Sequence, residues 1–78
     1  MPTIKKISDG YRFYFYSFDC YEPTHVHVEK DDLNCKFWLD PVSLAANYGF
    51  TAKELNQIQK LILKNRKLII EAWNEHCS

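Results

Sequence analysis

The sequence predicts an α+β fold: a small antiparallel sheet of three to four strands, then a short helix and a long C-terminal helix packed on one face. Three observations carry this expectation. Residues 1–40 hold short alternating or aromatic-rich runs separated by turn residues. Residues 51–78 contain neither Pro nor Gly and repeat apolar side chains at helical spacing. The chain has 78 residues, 46% of them hydrophobic, which suits a single domain over residues 1–78.

The first strand is expected at Thr3–Ile7, ending at Ser8-Asp9-Gly10. Asp-Gly between apolar runs signals a hairpin, because Gly tolerates positive φ. Tyr11–Phe18 is mostly Phe and Tyr, residues that fit a pleated surface. Asp19-Cys20-Tyr21-Glu22-Pro23 breaks that run. Thr24–Lys30 alternates and contains β-branched residues, Asp31-Asp32-Leu33-Asn34 reads as a turn, and Cys35–Leu39 as the last strand.

Helices are expected from there on. Asp40 reads as an N-cap with Pro41 in the first helical position, opening a short helix over 41–49 that Gly49 closes. Thr51-Ala52-Lys53-Glu54 has the pattern of a capping box, opening a long helix over 51–76. Leu55, Ile58, Ile62, Ile69, Ala72 and Trp73 form its apolar stripe, and Leu63, Ile70 and Cys77 add a second edge. Such a helix would exceed about 30 Å, against about 20–24 Å for a strand of six or seven residues. An overhanging helix with a wide apolar arc implies a small protein partner or a homodimer through that helix.

Ten Lys+Arg balance ten Asp+Glu. Zero net charge argues against a generic polyanion binder, which needs excess cations to displace counterions, so nucleic acid is not favoured. The zero conceals an asymmetry: residues 1–40 carry five basic and seven acidic side chains, residues 51–78 five and three. No apolar run approaches the about 20 residues of a membrane span. Met1-Pro2-Thr3-Ile4-Lys5-Lys6 lacks the apolar stretch of a secretory signal, so a cytoplasmic location is expected. The three cysteines, Cys20, Cys35 and Cys77, are an odd count, and no disulfide framework is expected from them.

Period-two alternation divides the strand residues between two faces. Phe13, Phe15, Val26, Val28, Cys35, Phe37 and Leu39 are assigned to the helix side. Arg12, Tyr14, Tyr16, His25, His27, Glu29, Lys36 and Trp38 fall on the other, a basic, aromatic and imidazole-bearing surface that is the candidate binding site. His25 and His27 lie about 6–7 Å apart along the strand. They are the candidate catalytic pair, since imidazole titrates near neutral pH and can serve as acid and base in phosphodiester cleavage. A metal would need a third ligand such as Glu29 or Cys20. A Cys20, His25, His27, Cys35 set has no compact zinc spacing. No metal and no other cofactor is expected, His25, His27 and Glu29 being the candidates if one binds. Residues 42–60 also fit a helix-turn-helix, with Lys53, Asn56, Gln57 and Lys60 facing outward, which would make the chain a DNA-binding regulator. No phosphate loop or nucleophile elbow is present, and Cys77 beside His76 reads as incidental.

Several segments together resemble a family of small prokaryotic proteins catalogued as domain-of-unknown-function family 4160. They are Met-Pro-Thr-Ile, Gly-Tyr-Arg-Phe-Tyr-Phe-Tyr, Glu-Pro-Thr-His-Val-His-Val, Lys-Phe-Trp-Leu, Leu-Ala-Ala-Asn-Tyr-Gly-Phe and Glu-Ala-Trp-Asn-Glu. Pro23, His25 and His27 carry its most specific part. Many relatives have Pro or an aliphatic residue at the position of Thr24, and some have a His in the loop occupied here by Cys20-Tyr21. The resemblance implies a role in a two-protein, toxin–antitoxin-like module and assigns no activity. The leading expectation is a binding or regulatory component of such a pair. The alternatives are a hydrolase using His25 and His27 and a DNA-binding regulator, and whether the chain is an enzyme stays open.

Overall fold

A computed structural model describes the backbone of residues 3–4 and all of residues 10–16 and 18–77. Five antiparallel strands run in sequence order: β1 (Thr3–Ile4), β2 (Arg12–Tyr14), β3 (His25–Lys30), β4 (Leu33–Leu39) and β5 (Val42–Tyr48). Two helices follow, α1 (Ala52–Lys64) and α2 (Arg66–Cys77). The α+β class and the order of sheet before helices are as the sequence predicts. Residues 5–7 of the expected first strand and Ser8-Asp9 of its turn lie outside the described residues.

Strand register fixes the two faces. Phe13 lies opposite Val28, Val28 opposite Cys35, and Val26 opposite Phe37. These residues, with Phe15 and Leu39, pack against Ile58, Ile62, Ile69 and Trp73 in one buried cluster. The opposite face pairs Arg12 with Glu29, Tyr14 with His27, His27 with Lys36 and His25 with Trp38. The β3–β4 turn is tighter than expected. Only Asp31 and Asp32 separate the strands, with Asp31 at φ 55, a conformation that Asp tolerates better than most residues.

Residues 42–48 form an edge strand, not the expected short helix. They pair with β4 from Asn34↔Tyr48 to Leu39↔Val42, with an irregularity at Lys36/Phe37. Asp40 and Pro41, joined by a cis peptide bond, make the turn between β4 and β5. Asp-Pro serves a turn as readily as a helix start, and pairing along β4 supplies hydrogen bonds that local propensity cannot match. The helix-turn-helix over 42–60 therefore does not exist. Gly49, at φ 110, turns the chain out of β5, where a Cβ would meet Leu33 Cδ2 at 2.6 Å. Asn47 braces this corner: its Nδ2 donates to the Phe50 carbonyl and its Oδ1 accepts from the Phe50 N–H, both at 3.0 Å.

The capping box at α1 is present, Thr51 and Glu54 each accepting from the other's backbone N–H. The expected long helix is broken at Asn65. Its side chain donates to the Leu61 carbonyl at 2.9 Å, competing for the backbone as Asn does at helix ends. Arg66 then donates from Nε to the Leu39 carbonyl at 3.0 Å, tying the start of α2 to the end of β4. Among the described residues, the segment expected as one long helix thus forms two. Of the second apolar edge, Ile70 and Cys77 pack on the core and Leu63 is exposed.

Candidate functional site

The site begins where β2 ends. After Tyr16 the chain enters a 3₁₀ turn, Asp19–Tyr21. The turn closes because Asp19 Oδ2 accepts the Tyr16 N–H at 2.7 Å and the Asp19 N–H donates to the Tyr16 carbonyl at 3.1 Å. The carboxylate is thereby folded back over β3 and buried, only 2% exposed. The end of α2 clamps the same loop. His76 Nε2 donates to the Tyr16 carbonyl at 2.9 Å, and Cys77 is joined to Cys20 by a disulfide. This corrects two expectations, that no disulfide forms and that His76 and Cys77 are incidental. An odd count leaves room for one bridge, and the fold brings together two cysteines 57 positions apart.

Under this loop lie the two histidines. His25 is fully buried, while His27 retains 16% of its side-chain exposure. The two Nε2 atoms converge on one oxygen: His25 Nε2 is 3.2 Å and His27 Nε2 3.1 Å from Asp19 Oδ2. Among the described residues neither nitrogen meets full hydrogen-bond geometry with a partner, despite the short distances. His25 Nδ1 lies 2.8 Å from the Pro23 carbonyl oxygen. A carbonyl only accepts, so Nδ1 carries a proton, and the corresponding neutral tautomer has its lone pair at Nε2. Burial lowers the His27 pKa; attraction to Asp19 opposes this incompletely, so its neutral form is favoured near pH 7.

Aromatic rings enclose the cluster. Tyr14 stacks on His27 at 5.4 Å between centroids, Tyr16 meets His27 edge-on at 4.7 Å, and Trp38 and Trp73 lie 5.6 and 5.1 Å from His25. Burial, then the neighbouring Tyr16 hydroxyl, pushes the Tyr14 pKa up, so the Tyr14 phenol is a neutral wall of the cluster. A cleft lined by Pro23, Thr24, Trp38, Asp40, Pro41 and Ser43 opens at the same end of the sheet but reaches neither histidine.

All eight side chains of the expected surface belong to this face, but its character differs from that of an open basic patch. Tyr14 and His25 are buried. Arg12 is paired with Glu29 and stacks over Tyr14. Lys36 is paired with Glu22 at 2.6 Å and lies over Trp38, and that hydrogen bond lowers the Glu22 pKa. The cations are therefore compensated locally. Glu29 is engaged by Arg12, Cys20 by Cys77, and Cys35 lies in the core with its thiol pKa pushed up to about 12 by burial. None of these three is the third partner of the histidines. That partner is Asp19, which sequence reasoning assigned to a strand break. The available signal was the spacing Asp19-x5-His25-x-His27.

A family model, Domain of unknown function (DUF4160), matches residues 10–74, and the chain belongs to that family. No curated protein and no solved structure matches it.

Proposed function

We propose that this member of the DUF4160 family is a binding, regulatory component of a small two-protein, toxin–antitoxin-like module. The carrying observation is the loop from Tyr16 to Glu22. Phe18 is 64% and Tyr21 94% exposed, on either side of the buried Asp19. Large aromatics on a fixed support are ordinary anchors of protein interfaces, and this support is held by Asp19, His76 and the Cys20–Cys77 bridge. Locally compensated cations on the neighbouring face also suit a protein partner better than a polyanion. The competing assembly is a homodimer through the C-terminal helices, with Leu63 as its exposed apolar point.

The test is co-expression with the small protein encoded beside it. A complex that survives gel filtration is expected, and it is lost in the Phe18→Ser, Tyr21→Ser double variant while circular dichroism stays unchanged. A monodisperse monomer that ignores the neighbouring product overturns the proposal. The hydrolase reading has weaker support, because both Nε2 atoms are buried and an RNA phosphate cannot reach them unless the loop opens.

A further inference from the structure

We infer that Asp19, His25 and His27 form a binding site for a divalent transition-metal ion, zinc being the best fit. The inference stands independently of the binding role proposed above. Three electron-pair donors lie together: Asp19 Oδ2, His25 Nε2 and His27 Nε2. They lie within 4.8 Å of one another, with both nitrogen–oxygen separations near 3.1 Å. Zinc bonds of about 2.0–2.1 Å to nitrogen and oxygen, set at tetrahedral angles, put neighbouring ligand atoms about 3.3 Å apart. The observed separations are close to one edge of such a tetrahedron.

Electrostatics leads to the same conclusion. An unprotonated imidazole nitrogen 3.1–3.2 Å from a carboxylate oxygen in a buried setting is repelled by it, and a buried nitrogen without a partner is destabilising. Two such nitrogens face the same oxygen here. A positive charge among them removes the conflict, and only a proton or a metal ion is small enough. A proton on one Nε2 serves that nitrogen alone and leaves the other without a partner. A metal ion uses all three lone pairs at once.

The surroundings are those of a metal site. Ligating imidazoles characteristically donate their other ring N–H to a carbonyl or carboxylate, and ligating carboxylates are themselves hydrogen-bonded. His25 Nδ1 donates to the Pro23 carbonyl, and Asp19 Oδ2 accepts the Tyr16 N–H. Imidazole nitrogens with one carboxylate favour zinc and its neighbours over calcium or magnesium, which prefer all-oxygen sites. Three protein ligands leave further coordination positions to water or to an external ligand. The ion would also pin the Phe18–Tyr21 loop to β3.

The test uses the untagged, disulfide-bonded chain, stripped with chelator and then titrated with zinc chloride or cobalt(II) chloride. One equivalent of zinc per chain is expected, with a visible cobalt(II) absorption of tetrahedral or five-coordinate type. A change of outer-shell residues typically weakens metal binding about 10–100-fold. Asp19→Asn, which preserves shape, and His27→Gln are expected to weaken it more than that. Nitrogen NMR of the wild-type imidazoles, which needs no variant to fold, should show Nε2 of both rings shifting on zinc addition. Failure of the folded chain to bind zinc overturns the inference, as does full binding by Asp19→Asn. Binding that appears only after reduction places the ion on Cys20, His76 and Cys77 and overturns it equally, as does an NMR spectrum showing a metal-independent imidazolium at His25.

Discussion

The two faces of this sheet are built from the same three strands and are buried by different means. On the helix side, Phe13, Val26, Val28, Cys35, Phe37 and Leu39 lie against α1 and α2, and all are at most 1% exposed. Hydrocarbon there needs only area and fit. On the other side, Tyr14 and His25 are also buried, and of the helices a side chain of α2, Trp73, reaches His25. A folded-back loop, stacked rings and a carboxylate do the covering. The first face tolerates replacement by other apolar groups of similar volume. The second must satisfy each buried polar atom, and here it leaves two nitrogens without a hydrogen bond beside one carboxylate oxygen. The comparison teaches that depth of burial alone does not separate a core from a site; the chemistry of what is buried does.

The sharpest way to break that contrast is to empty the apolar face. Phe37→Ala should cost about 3–5 kcal/mol, much of the about 5–15 kcal/mol available to a domain. A urea titration followed by circular dichroism should show a chain that is barely folded at room temperature. His25→Ala on the polar face should cost less, about 2–3 kcal/mol, because it leaves the Pro23 carbonyl without its donor but removes less hydrocarbon. His25→Phe should recover part of that loss in the same titration while zinc binding stays absent. Equal recovery of both would mean that His25 is only a space filler.

A smaller effect tests the charge state of the polar face. The His27 pKa is depressed below its usual 6.5, with desolvation as the main cause. Below pH 6.5 the unfolded chain therefore takes up a proton that the native chain refuses. Stability is full above that pH and falls as the pH drops through the native value. Urea midpoints should decline from pH 7.5 to pH 5, and less so in His27→Gln. A midpoint that rises on acidification would show an imidazolium–Asp19 ion pair instead. The smallest effect belongs to the rim: Lys36→Met should leave the midpoint within experimental scatter, since Glu22 is solvent-exposed and such pairs contribute little.

What could be read from the sequence follows the range over which each feature is decided. The two faces of β2 to β4 were legible because alternation of Val and His, or of Phe and Lys, is local. The Thr51–Glu54 capping box was legible for the same reason. Residues 41–49 were not: Asp-Pro at one end, Gly at the other and Leu-Ala-Ala between are cues shared by a helix and by a strand bounded by turns. Pairing with β4 decided between them. The break at Asn65 uses neither Gly nor Pro, only a side chain that bonds back to Leu61 and a neighbour, Arg66, drawn to Leu39. Asp19 was missed because its role depends on a loop closing over a strand, and Cys20–Cys77 because 57 positions separate the partners.

That bridge gives the chain an unusual form. From Cys20 to Cys77 the molecule is a covalent ring, with β1, β2 and Asp19 on the segment before it. A single cut by a protease at any bond within the ring, at the Asp31-Asp32 turn for example, opens it without releasing a fragment. The nicked protein keeps β3 and the end of α2 joined at the loop that carries Asp19, and its parts separate only on reduction.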